Sequence, residues 1–149
     1  MPIRTSSAFW EGDLRKGKGQ MKLGSGAFKG AYSFGSRFEE TKGANPEELI
    51  AAAHAGCFSM ALSAALSQAG YTPRRVDTTA RVHLEKIGDG FKITIIELHT
   101  EADVPSIEEQ MFMEKAENAR KNCPVSLALA GIEIRLEAKL LNQPAKVAQ

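Results

Sequence analysis

Between Asn45 and Gly70 the sequence encodes a helix with almost no polar side. Asn45 can cap it, Pro46 suits the first helical position, and Glu47 and Glu48 favour the positive end of the dipole. Glu48 also stands three residues after Asn45, the spacing of a capping box, and Gly70 offers a stop. Between these ends apolar residues run nearly all round, so burial on most faces is expected. Small residues (Ala51, Ala52, Ala53, Ala55, Gly56, Ala61, Ala64 and Ala65) let another helix approach closely. Such a helix needs cover on two sides, a sheet on one and a helix or second subunit on the other. The run from Leu49 to Ala69 also raises the question of a membrane. It carries His54, Ser59, Ser63, Ser67 and Gln68, and its alanines contribute little to insertion, so it reads as a buried soluble helix with no membrane role.

The remainder supplies the cover. From Thr5 to Phe38 glycines punctuate short β-prone pieces, SSAFWEG, KGQMKL and AFKGAYSF, which read as three strands in hairpin order. The glycines at 17, 19, 24 and 26 precede no helix in the manner of a phosphate loop. After Gly70, Val76, Thr78, Ala80, Val82 and Leu84 alternate, and beyond the turn Gly88-Asp89-Gly90 so do Phe91, Ile93 and Ile95. Ser106 with Glu109 has capping-box spacing and opens a polar helix through about Asn122. Pro124 forces a break or a new first turn, and Gly131 closes the short helix that follows. A last strand alternates Ile132, Ile134, Leu136, Ala138 and Leu140 with charged residues. The predicted order is β-β-β-α-β-β-α-α-β, an α+β fold. It is expected to form one domain over 1–141, with 142–149 a disordered tail.

Composition narrows the function. The 149 residues are 43% hydrophobic and 25% charged, ordinary for a soluble globular chain. A net charge of +1 recommends neither nucleic acid nor an anionic membrane as partner. MPIRTSSAFWEGD has no apolar signal core or small-residue cleavage site, so a cytoplasmic location is the expectation. There a thiol stays reduced and is catalytic, sensing or inert more often than a staple.

The chain has two cysteines and no Cys-x-x-Cys motif. Cys57 lies inside the apolar helix, and Cys123 stands just before Pro124, at the N-cap position of the short helix. Together they are candidates for two-cysteine redox chemistry, one thiol attacking and the other resolving. Each has a plain structural alternative: Cys57 as a small buried hydrophobe, Cys123 as a cap without chemistry. A buried thiol titrates above its usual value of roughly 8.5, so an attacking Cys57 needs a nearby cation. Glu47 stands roughly 15 Å before Cys57 along the helix, at about 1.5 Å per residue, and acts only through an intermediary. Arg37, just before the helix, is the obvious one; a solvated surface arginine is the alternative. His54, one turn before Cys57, is a base, half of a metal site, or a packed, partner-bonded histidine; the last is preferred, because His83 and His99 bring no supporting ligand spacing.

Three blocks, WEGDLRKGKG, RFEETKGANPEELIAAAHAGCFSMALS and NCPVS, resemble the superfamily of osmotically inducible and organic hydroperoxide resistance proteins, a likeness that runs to about Leu141. It implies an intertwined homodimer of α+β protomers, with antiparallel sheets wrapped around long central helices. It also implies a thiol peroxidase that reduces organic hydroperoxides, and hydrogen peroxide less readily, with no metal or organic cofactor. By the same likeness Cys57 is the peroxidatic cysteine, Cys123 the resolving one, Arg37 the active-site arginine and Glu47 its carboxylate partner. Neighbouring Glu48 is an alternative to Glu47 that sequence leaves open. The implied reductant is an external dithiol of the lipoyl type, and Phe58 and Met60 would wall an apolar substrate groove. Two rival readings stand beside it: a non-catalytic stress protein binding a hydrophobic ligand, and a thiol redox sensor.

Overall fold

The computed structural model describes residues 1–141; the expected disordered tail, 142–149, lies outside the described residues. Internal contacts gather the described residues into two compact units, one over Met1–Leu49 and one from Ile50 onward. In the first, β1 (Ser6–Glu11), β2 (Lys18–Leu23) and β3 (Lys29–Tyr32) form an antiparallel meander in the order of the sequence. Gly19 is required on this sheet. A Cβ there would lie 2.5 Å from the Phe9 carbonyl oxygen, 2.6 Å from the Tyr32 ring and 2.7 Å from the Trp10 ring. The bare backbone lets Trp10 and Tyr32 meet across it, with ring centroids 5.3 Å apart.

A short helix, α1 (Phe34–Phe38), follows β3 and was not expected, since five residues carry too little periodicity to read. Its signal is local: Ser33 accepts from the Ser36 amide while Ser36 Oγ accepts from the Ser33 amide, a closed capping box. The long helix α2 (Pro46–Gln68) then starts as the sequence indicates, with Asn45 Oδ1 accepting from the Glu48 amide at 2.8 Å. It ends as expected as well, Gly70 turning at φ +95° while the Tyr71 amide reaches back to the Leu66 carbonyl.

The second unit holds the rest of α2, a sheet of β4 (Arg75–Ile87), β5 (Gly90–Asp103) and β6 (Glu133–Leu140), and two helices, α3 (Glu109–Asn122) and α4 (Pro124–Ala128). β4 and β5 form a long hairpin through Gly88-Asp89, with Gly88 at φ +61°. β6 lies parallel to β5, so this sheet is mixed where the resemblance implied antiparallel sheets. The connection carries α3 and α4, and such a crossover returns the chain in the same direction. The Ser106–Glu109 box does not form. Ser106 turns at φ +70°, Ile107 tucks into the core, and α3 begins at Glu109 with no side-chain cap.

The core of this unit joins Phe58, Leu62 and Leu66 of α2 to Ile96, Leu98 and Ala102 of β5 and Phe112, Ala116 and Ala119 of α3. α2 thus buries one stripe, at every fourth residue from His54 through Leu66. Ala52, Ala53, Gly56, Met60 and Ala64 remain exposed, so one chain covers a single side of the helix and leaves the other open. Although α2 is long and apolar enough to cross a bilayer, only 22% of that window is buried in the chain. Replacing Gly19 by Ala should cost about 1–3 kcal/mol through overpacking. Chemical denaturation should read the loss, and amide exchange should place it in β1–β3.

Candidate active site

Arg37 and Glu47 meet in the first unit. The Ser36 hydroxyl donates to the Ala44 carbonyl at 2.7 Å, and Asn45 Nδ2 donates to the Ser36 carbonyl at 3.1 Å. These bonds tie α1 to the start of α2. Arg37 then sets both nitrogens of its fork on Glu47, Nε on Oε1 at 3.1 Å and Nη2 on Oε2 at 2.8 Å. Its guanidinium also stands over the Phe38 ring, 5.2 Å from the centroid. Glu47 is buried and Arg37 half-exposed, so the carboxylate is held while one side of the cation stays open. Glu48 is exposed, and its amide takes the Asn45 cap, which resolves the choice between the two glutamates in favour of Glu47.

The thiols meet in the second unit. Phe112, Ala116 and Ala119 form the buried face of α3, and Cys123 continues it at the next helical step. Pro124, lacking an amide, cannot extend α3, and its fixed φ starts α4. Cys123 is therefore both the last cap of α3 and the N-cap of α4, where its sulfur accepts from the Ser126 amide at 3.4 Å. Cys57, half-buried on α2, lies close enough to the Cys123 side chain and to the Val125 backbone for both to act on its thiol. Both cysteines are free. Burial, chiefly, pushes the Cys57 thiol up; the Val125 N–H opposes this, and the Cys123 thiol adds to it. Among the described residues no cation offsets that rise.

Ser126 is the residue the sequence reading left without a role. Its hydroxyl lies 2.7 Å from His54 Nε2 and 3.2 Å from Cys123 Sγ, with all three residues buried. The available signal was Ser three residues after a cysteine N-cap, again the capping-box spacing. His54 is thus a partner-bonded helix histidine, as preferred from sequence. Its Nδ1 is buried with no hydrogen-bond partner among the described residues, at a cost of about 1–3 kcal/mol. Burial holds this imidazole below the usual range, so it is neutral at pH 7. Phe58 does not wall a groove: it is fully buried in the core, whereas Met60 is exposed on another face of α2. His83 and His99 bond to Glu97, at 2.6 and 3.3 Å, on the polar face of the β4–β5–β6 sheet.

The site is thus a pair of free thiols, one on α2 and one at the joint of α3 and α4, in an α+β chain. Residues 39–137 match the family model described as OsmC-like protein. The chain is 49% identical over 138 residues to Peroxiredoxin OsmC of Escherichia coli (strain K12), covering 92% of this chain and 96% of that protein. Peroxiredoxin OsmC of Shigella flexneri matches to the same extent. Among solved structures, an organic hydroperoxide resistance protein from Elizabethkingia anophelis superposes with a TM-score of 0.69 at 27% identity, over 93% of this chain and 98% of that one. An OsmC-like protein from Mycoplasma pneumoniae shares the fold, with a TM-score of 0.72 at 18% identity, over 93% of this chain and 97% of that one. This chain belongs to the OsmC-like family.

The neutral His54 has a thermodynamic signature. Its folded pKa lies below the unfolded value of 6.5, so the unfolded chain takes up a proton first as pH falls. Stability should therefore decline below about pH 6.5, by at most about 1.4 kcal/mol per pH unit for one proton. Glu97 and Glu117, whose carboxyls are depressed mainly by hydrogen bonds from His99 and Arg120, add a separate loss only below about pH 4.5. Urea titrations between pH 7 and 5 should show the first slope, and His54→Gln should flatten it.

Proposed function

We propose that this chain is a thiol-dependent peroxidase that reduces organic hydroperoxides, and hydrogen peroxide less readily, to alcohols and water. The observation that carries the reading is the proximity of two free thiols, Cys57 and Cys123, close enough for one to shift the other's titration though far apart in sequence. The 49% identity to proteins named peroxiredoxin supports it. Cys57 attacks as the thiolate on the distal peroxide oxygen. The O–O bond breaks, the alkoxide leaves as the alcohol after protonation, and Cys57 becomes a sulfenic acid. Cys123 condenses with it to a disulfide and water is released; an external dithiol of the lipoyl type then restores both thiols by exchange. The family likeness assigns to Arg37, held by its two-pronged bond to Glu47, the role of the positive charge that a Cys57 thiolate needs. No metal or organic cofactor enters these steps. The setting is cytoplasmic defence against oxidative or osmotic stress.

The working form is a homodimer. Ala53, Gly56 and Met60 give α2 a smooth apolar face, and Met60 alone is 77% exposed. A second copy covering this stripe would remove the apolar surface that monomers seldom tolerate and exclude water from the thiols. Light scattering at low micromolar concentration should give about twice the 16.1 kDa of one chain, and a stable, active monomer would refute this arrangement.

Hydroperoxide consumption with a dithiol reductant tests the chemistry. Cys57→Ser should lose at least about a thousandfold in rate while keeping its fold, in line with removal of a nucleophile. Cys123→Ser should still consume one equivalent of hydroperoxide and stop with Cys57 as a sulfenic acid or beyond. Near-normal turnover by folded Cys57→Ser would end the peroxidase reading.

A further inference from the structure

The mechanism above leaves one question of proton balance. When Cys123 attacks the sulfenic acid on Cys57 it must lose its own thiol proton, and it is 1% exposed, away from solvent. Its sulfur donates to Ser126 Oγ at 3.2 Å, and the same oxygen lies 2.7 Å from His54 Nε2. The direction of the chain follows from these contacts. With the Ser126 oxygen accepting from the thiol, its own hydroxyl hydrogen is free to point at Nε2, and the neutral ring carries its proton on Nδ1. Nδ1 is the ring nitrogen that has no partner among the described residues, so Nε2 is the side of the imidazole that the fold engages.

We infer that Ser126 and His54 form a proton relay for the resolving cysteine. The inference rests on the peroxidase reading and adds residues to its second step, not its first. As Cys123 sulfur forms the S–S bond, the S–O bond of the Cys57 sulfenic acid breaks and hydroxide leaves. The Cys123 proton passes to Ser126 Oγ while the Ser126 hydroxyl proton passes to His54 Nε2. The sulfenic sulfur is reduced and the Cys123 thiol oxidised, both to the disulfide level. The hydroxide takes up one proton and departs as water, matching the one lost by Cys123. Burial disfavours the imidazolium, so His54 gives its proton up again and is ready for the next cycle. Ser126 touches the reacting sulfur; His54 acts only through it, as a positioning residue and the terminal acceptor. The relay serves Cys123 specifically, because neither hydrogen bond in it involves Cys57.

Rapid mixing of the reduced protein with one equivalent of tert-butyl hydroperoxide separates the two steps. Sulfenic acid is trapped with a dimedone-type reagent, and the disulfide is counted by mass spectrometry after alkylation. In Ser126→Ala and His54→Gln, sulfenic acid should form within twofold of the wild-type rate, whereas disulfide formation should slow tenfold or more. The double variant should be no slower than the worse single one, since the two residues act as one path. Ser126→Thr, which keeps the hydroxyl, should resolve within threefold of wild type. In the wild type alone, disulfide formation in mixtures of H2O and D2O should give a bowed proton inventory, as two moving protons require. Resolution at the wild-type rate in Ser126→Ala would overturn the relay, as would a linear inventory or equal slowing of both steps. If the wild type forms no Cys57–Cys123 disulfide, the resolving role of Cys123 and the relay fall together. If Cys57→Ser keeps its turnover, the peroxidase reading itself has failed.

Discussion

The second unit rests on the contact that α2 makes through His54, Phe58, Leu62 and Leu66, all fully buried. Four side chains at every fourth position set the rotation of the helix about its own axis. That rotation puts His54 against Ser126, leaves Cys57 at the edge of the packed face, and turns Gly56 and Met60 outward. Phe58 and Leu62 pack in one cluster with Phe112 and Ala116 of α3, whose face ends at Cys123. The meeting of the two sulfurs is thus largely a by-product of hydrophobic packing, in which apolar side chains position both thiols.

Much of this was legible beforehand because its causes are local. Asn45, Pro46 and Gly70 mark the ends of α2 with groups that cap or cannot continue a helix, and they act as read. Pro124 forced the break that makes Cys123 a cap, and Gly88-Asp89 closed the β4–β5 hairpin. The failures have non-local causes. Ser106 and Glu109 have the spacing of a box, but burial of Ile107 outweighed a bond worth about 1 kcal/mol and moved the helix start. The expected cover of α2 on two sides is met on one, by the sheet and α3, while the other face stays open within one chain. The parallel pairing of β5 with β6 depends on the crossover, which alternation along a strand does not encode.

For the candidate site the division is similar. The thiols and Arg37 stood out as residue types, yet the choice between Glu47 and Glu48 turned on which carboxylate faces α1. Ser126 escaped notice because a serine near a helix start has an ordinary explanation as a capping group. Its second bond, to a histidine far back in the chain, is a tertiary fact. The electrostatics divide along the same line. The first unit holds a buried carboxylate under a half-open guanidinium, and the second holds a thiol that its surroundings keep neutral.

The sequence distance between the paired sulfurs also links redox state to resistance against unfolding. A bond between Cys57 and Cys123 would close a loop of roughly 70 residues, holding the β4–β5 hairpin and all of α3. By chain-entropy reasoning such a closure removes about 4 kcal/mol of freedom from the denatured ensemble. Oxidised protein would therefore melt later than reduced protein. By reciprocity, the folded state would favour the oxidised couple by the same amount, lowering its reduction potential relative to the unfolded chain. A reductant meeting the folded enzyme would have to be strong enough to overcome that bias as well as to reach the sulfur.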